Sequence, residues 1–274
     1  MKFITDSSCD IDDINGTKLE VAPLTISTKE REFLDDKNLD VHEMLDYLRD
    51  FSGQSHTACP SPDSWLKTFE NGTENYVVTM TSKLSGTYNS AKIAKDMYQE
   101  DHPDSKICII DSLSTGPEMR LIMEKIIELK NAGKTFEEIS SSIKNYLAKT
   151  RLFFAFKSLH NFAQNGRINK AIAAIVEKLN IRIIGTASDE GDIMPTHKCR
   201  GEKSSLNNIV SEIIDSGFNG GKIRICHVEN LDFAKKVGER ILELFPKTDL
   251  KIYPARGICS YYGERGGIII GCED

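Results

Sequence analysis

Three stretches of this chain set hydroxyl side chains directly after an apolar run. Asp6-Ser7-Ser8 follows the apolar run MKFIT. Thr81-Ser82-Lys83-Leu84-Ser85-Gly86-Thr87 follows NYVVTM, and Asp111-Ser112-Leu113-Ser114-Thr115-Gly116 follows KICII. If the three runs are parallel strands, all three loops lie at their carboxyl ends, where open α/β sheets bind ligands. Free backbone N–H groups and Ser/Thr hydroxyls meet there, a setting that favours a carboxylate or a phosphate. Any one loop reads equally well as a turn and helix cap; the repetition along one edge is what points to an anion. Cys9 and Cys59 are the candidate nucleophiles near these loops. A free cysteine is more often a small buried apolar residue, and a nucleophile needs a base. No histidine adjoins the three loops; the nearest, His56, stands beside Thr57.

Other chemistries lack their residues. There is no GxxxxGK[ST] motif and no GxGxxG after the first strand, so nucleotide binding by a familiar loop is unsupported. There is no GxSxG elbow. Seven cysteines without a CxxC make neither a disulfide framework nor a zinc site. The six histidines are scattered, without HExxH. Neither a metal nor a cofactor is expected. With 35 basic and 41 acidic residues the net charge is −6, which argues against a nucleic-acid partner held through its phosphates. No apolar run approaches the ~20 residues of a membrane span, and the N-terminus has no signal-peptide core. A cytoplasmic location is expected.

The elements that must position the loops alternate along the chain. Strands are expected at MKFIT, Leu19 to Ile26, Asn75 to Thr81 and Lys106 to Asp111. Asp40 caps a helix through Phe51 with Glu43 as its reciprocal partner, and Thr135 with Glu138 starts another by the same logic. Ser61 and Pro62 open a further helix. Helices are also expected from Thr87 to Gln99 and up to Ala132. This alternation implies parallel strands with crossover helices. After Thr150 the pattern changes: strand RLFFAFK, a short helix ending at Gly166 as a left-handed cap, a small-residue helix INKAIAAIVEKL, a hairpin of NIRIIGTA and DIMPTHKC, two helix–strand pairs and the closing run GGIIIG. The fold class is therefore α/β, with two packed lobes, residues 1–150 carrying a mostly parallel sheet and residues 151–274 forming the second lobe.

ITDSSCDI, TACPSP at Thr57, TSKLSGTYNSA at Thr81, DSLSTG at Asp111 and NGRINKA at Asn165 occur in the order and spacing of the DegV family, and the chain resembles that family over essentially its whole length. The resemblance implies a bacterial fatty-acid-binding protein of two α/β lobes, with the acyl chain buried and the carboxylate at the lobe junction. It implies that a separate fatty acid kinase phosphorylates the presented carboxyl group, and that the chain itself is not an enzyme. It places Thr57 and Ser85 as hydroxyl donors to the carboxylate, and Arg167 where the family has an arginine for phosphorylation or kinase docking. Two stretches depart from the family. Ala58 and Cys59 replace a common Ser-Gln. SYYGERGGIIIG replaces a His-containing Gly-Pro-Gly loop, with Tyr261 at the histidine position and Glu264-Arg265 interrupting the glycines. Presentation to a kinase is accordingly expected to suffer more than fatty-acid binding. Leu152 to Phe156, Ile168, Ile172, Ile175 and Leu179 are candidates for the acyl tunnel, and equally for ordinary core. Two further readings stay open: a hydrolase or transferase using the loops as an oxyanion site, and a sensor of another small carboxylate.

Overall fold

The computed structural model of the protein describes residues 1–169 and 181–273. Strands Lys2–Asp6, Glu20–Ala22, Glu74–Thr79 and Lys106–Asp111 form one sheet in which every neighbouring pair is parallel. Its central strands are near-continuous apolar runs because both faces are covered. On one face Ile4, Val77 and Ile107 pack with Trp65, Ala91 and Ala94 of helices Pro62–Leu66 and Thr87–Asp101. On the other, Phe3, Tyr76 and Val78 pack with Met119, Met123 and Ile126 of helix Gly116–Asn131, and with Ile139 and Ile143 of helix Phe136–Tyr146.

All six strands of the second sheet come from Thr150 onward. Their order is Ile193–Cys199, Arg182–Ala187, Thr150–Phe156, Ile268–Glu273, Lys222–His227 and Asp249–Pro254, and only the last pair is parallel. Helices Glu202–Asp215 and Leu231–Leu244 cover one face. The other face meets helix Gly116–Asn131, which thus lies between the two sheets. The approach is so close that a Cβ on Gly271 would fall 2.6 Å from the Glu118 amide nitrogen.

Local signals in the sequence account for most boundaries. Thr135 and Glu138 form both halves of a capping box, the Ser61 hydroxyl accepts from the Ser64 N–H, and Gly166 is left-handed at φ +72°. Asp40 caps its helix through the Glu43 N–H, but the Glu43 carboxylate turns to Arg31 at 2.9 Å instead of back to the cap. The single strand expected over Leu19 to Ile26 is two, Glu20–Ala22 in the parallel sheet and Thr25–Ser27 in another. Pro23, which lacks an N–H, stands between them. Thr25–Ser27 pairs with Glu32–Leu34 and with His56–Ala58 in a small antiparallel sheet that carries Thr57. The Asn15-Gly16 hairpin between Asp13–Ile14 and Thr17–Lys18 has both turn residues at positive φ, as a two-residue turn of that type requires. Beyond Asn169, the helix expected over INKAIAAIVEKL, with Ile172, Ile175 and Leu179, lies outside the described residues.

Candidate functional site

The three hydroxyl loops do meet at the carboxyl edge of the parallel sheet. Asp6 ties the first to the second: its carboxylate accepts from the Ser8 N–H (3.0 Å) and hydroxyl (2.5 Å) and from the Met80 N–H (2.8 Å). Asp111 ties the second to the third through the Ser82 (3.1 Å) and Leu113 (3.2 Å) N–H groups. Burial pushes Asp6 up to about 6 despite these three donors.

A narrow cleft opens beneath this edge, with about 680 Å³ of empty space, mouth included. Met80, Thr81, Leu84, Ser114 and Thr115 line it from the loops. Leu152, Phe154 and Phe156 line it from the second sheet, while Phe153 and Ala155 face the opposite core. This alternation is the two-residue period of a strand. Of the tunnel candidates, then, every second residue of strand Thr150–Phe156 reaches the cleft; Ile168 packs on the core beside it. Gly185 makes the room: it pairs with Phe154, and a Cβ there would lie 2.3 Å from the Phe154 ring.

An aromatic row runs along the wall to the rim. Phe154 stacks on Phe156 with centroids 4.6 Å apart, Phe156 lies 5.8 Å from Phe162, and Phe162 lies 4.7 Å from Tyr262. The Tyr262 hydroxyl is 2.7 Å from the Thr57 hydroxyl. Burial raises the Tyr262 pKa, offset in part by Thr57 and by the nearby Arg167 charge, so its hydroxyl is neutral and able to donate. The segment just after the strand bearing Thr57 is pinned to the helix that follows the second loop, since the Ser90 hydroxyl donates to the Pro60 carbonyl at 2.6 Å. A Cβ on Gly86 would sit 3.3 Å from the Cys59 sulfur. Ser85 stands at the start of helix Thr87–Asp101, its hydroxyl 2.7 Å from that of Thr87 and accepting the Thr87 N–H.

Arg167 lines the mouth. Its Nε donates to the Leu84 carbonyl at 3.0 Å and its Nη1 to the Asn165 carbonyl, so an exposed cation is held over the loop that carries Ser85. Tyr261 is fully buried and is not part of the cleft wall. Its hydroxyl is 2.7 Å from that of Ser55 and accepts from the Asn165 side chain at 2.8 Å. It therefore braces the Asn165-Gly166-Arg167 turn against the strand that follows Ser55. Glu264 reaches back to the Ser158 hydroxyl at 2.8 Å, and Arg265 to Glu229 at 2.6 Å. Tyr262 was not singled out by its sequence context. Its sole signal there is a second aromatic next to Tyr261, and its reach to Thr57 depends on the tertiary fold.

Cys9 is buried and its thiol is pushed well above the ordinary range by burial, which suppresses the nucleophilic thiolate. Cys59 is exposed. Among the described residues no group of three or more His, Cys, Asp or Glu side chains is placed to hold a metal ion, and no helix is long and apolar enough to cross a membrane.

Fold and cleft together define a two-sheet α/β binding protein whose largely apolar cavity also carries hydroxyls, the Arg167 cation and the Asp192 carboxylate in its lining. The chain belongs to the DegV family: the sequence profile of that family, described as "Uncharacterised protein, DegV family", matches residues 1–270. A DegV domain-containing protein of Streptococcus pneumoniae strain R6 is 42% identical over 277 residues, covering 99% of this chain and 98% of its own. A DegV family protein from Eubacterium eligens, crystallised loaded with heptadecanoic acid, is 49% identical with a TM-score of 0.97 over 99% of both chains. The Streptococcus pneumoniae fatty acid kinase (Fak) B3 protein, crystallised with linoleic acid, is 40% identical with a TM-score of 0.97, covering 99% of this chain and 98% of that one.

Proposed function

We propose that this protein carries a long-chain fatty acid in the cytoplasm and offers it to a separate fatty acid kinase, with no catalysis of its own. The observation that carries this reading is the aromatic row Phe154–Phe156–Phe162–Tyr262, which leads from an apolar interior to the Thr57 hydroxyl. Burying acyl CH₂ groups contributes about 0.8 kcal/mol each. A 16-carbon chain then gains on the order of 10 kcal/mol before ordering costs. Thr57 and Ser85 bond the carboxylate, where hydrogen bonds to a charged group are roughly twice as strong as neutral ones. Arg167 adds a cation at the mouth and faces the kinase. Tyr261 acts through Asn165 as a positioning residue for Arg167. The structural relatives loaded with heptadecanoic and linoleic acid support the ligand class, and the kinase named for the second supports the partner. The chain divides functionally near residue 150, one lobe supplying the hydroxyl loops and the other the acyl wall.

The test is mass spectrometry of ligand extracted from native protein, followed by thermal shift of delipidated protein with C14 to C18 acids. A long-chain acid near one-to-one is expected. A short polar acid, a covalent cysteine adduct, or no shift with any of these acids would overturn the reading.

A further inference from the structure

A second cavity lies on the far side of the mixed sheet, away from the aromatic wall. Lys157, Ile181, Arg182, Arg200, Gly201, Glu202 and Ser205 line it. Three of these are cations in a protein whose net charge is −6. Lys157 and Arg200 are exposed and make no ion pair among the described residues. Arg182 is 7% exposed and stacks 3.9 Å from the Phe233 ring centroid; it makes no ion pair within 4 Å among the described residues, the Glu202 carboxylate acting on it only at longer range. Its Nη1 has no hydrogen-bond acceptor among the described residues. Stacking on Phe233 offsets part of the burial of that charge, but supplies no acceptor for its N–H groups.

The same cavity opens onto the N-terminus of helix Glu202–Asp215. Its N-cap is Gly201, so no side chain satisfies the first N–H groups. Such a terminus carries partial positive charge and free donors. The Ser205 hydroxyl is turned back to the Gly201 carbonyl at 2.9 Å and does not compete for them. The acidic residue present, Glu202, is paired with Lys236 at 2.5 Å and also stands in the field of Arg182 and Lys157. A guanidinium without an acceptor and a helix start without a cap therefore border one open space. A tetrahedral oxyanion has acceptors for both, and matches the planar fork of arginine better than a monatomic ion does.

We propose that Lys157, Arg182, Arg200 and the N-terminus of helix Glu202–Asp215 form a second site, for a phosphate-type oxyanion. The site is independent of the acyl cleft, since its residues are none of those that line the cleft. The group it takes is a free phosphate or the phosphate of a small monoester.

The experiment is an amide NMR titration of the full chain with inorganic phosphate, against sodium chloride at equal ionic strength. Gly201, Glu202 and Lys203 amides should shift saturably with phosphate and not with chloride. Glycerol 3-phosphate in a parallel titration separates the two sources: tighter binding than phosphate marks a monoester site, equal binding a free-ion site. Arg182→Gln removes charge-assisted bonds and should weaken binding by about tenfold or more. Arg200→Gln, at an exposed position, keeps the fold and should weaken it by a smaller factor. Fatty-acid binding should be unchanged in both. Chloride shifts equal to those of phosphate, or an Arg200→Gln protein with an unchanged midpoint, would overturn the proposal.

Discussion

Gly191 closes the acyl cleft, and substituting it tests how the cleft is held shut. The residue ends the turn between strands Arg182–Ala187 and Ile193–Cys199 and lines the cavity. A Cβ at this position would lie 2.2 Å from the Thr81 hydroxyl oxygen and 2.8 Å from the Leu113 carbonyl oxygen. Thr81 cannot simply rotate away without cost, because its hydroxyl accepts the Lys83 N–H at 3.2 Å; Leu113 presents backbone. In Gly191→Ala the turn itself must therefore lift from the first lobe. Its φ of +89° adds a left-handed penalty of about 1–2 kcal/mol for any residue with a Cβ. Lifting also strains the exposed Lys83–Glu190 pair, worth about 1 kcal/mol at most. A total of about 1–3 kcal/mol lowers Tm by several degrees for a chain of this size. If half of it is lost from the closed, liganded state, fatty-acid release accelerates by about two- to tenfold. Stopped-flow displacement of a fluorescent fatty acid reads the release; differential scanning fluorimetry reads Tm. Gly133→Ala is the control: its φ is +77° with nothing within 4 Å of the new Cβ, so it should lower Tm without touching release. A Gly191→Ala protein that loses stability but releases ligand at the wild-type rate would refute the closing role of this turn.

Other substitutions probe the rest of the machinery. On the proposed reading, Thr57→Ala and Ser85→Ala each remove a hydroxyl donor to the carboxylate, a loss of roughly 1.5–3 kcal/mol, so fatty-acid affinity should fall about ten- to a hundredfold by calorimetry; wild-type affinity in the double variant would place the carboxylate elsewhere. Burial chiefly pushes Asp10 up to about 7, only partly opposed by the Arg256 N–H. The folded state then holds this proton more tightly than the unfolded chain, so stability falls as pH rises from about 4 to 7. Asp10→Asn should gain on wild type by up to a few kcal/mol at pH 8 and little at pH 4; parallel Tm curves across that range would contradict this. Tyr261→Phe should leave fatty-acid affinity intact and slow phosphate transfer in an assay with a fatty acid kinase, because Asn165 loses its brace on Arg167. Tyr261→His in the same assay should raise the rate above wild type if the family's histidine is the better partner.

Much of this arrangement can be read in the residues, and what escapes has identifiable causes. Strong local signals survive folding: the Thr135 capping box, the Ser61 cap and the left-handed Gly166 all stand where their residue types demand. So do the three parallel strands, whose apolar runs leave little alternative to burial on both faces. The pattern misleads at Leu19 to Ile26, where apolar residues continue across Pro23 while the chain changes sheets. It is silent at His56–Ala58, a three-residue edge too short to show alternation. The Glu43 case shows competition: an acidic residue at the right spacing prefers an arginine brought near by another strand. Although neither is part of the cleft lining itself, Thr57 and Ser85 are visible as motif residues. Tyr262 is not, because its partner lies 205 positions away and only the tertiary fold brings the two hydroxyls together.

Helix Gly116–Asn131 begins at the hydroxyl loops and then runs between the two sheets. Six of its side chains, Met119, Leu121, Ile122, Met123, Ile126 and Ile127, are buried hydrophobics, and the helix meets partners from both halves of the sequence. A fragment ending near residue 150 would expose the face that meets Ile268–Glu273; a fragment starting there would leave that sheet bare on one side. Cutting the gene near codon 150 should therefore yield two aggregation-prone pieces that fold only when co-expressed, so that the protein is inherited, and recombines, as a single indivisible unit.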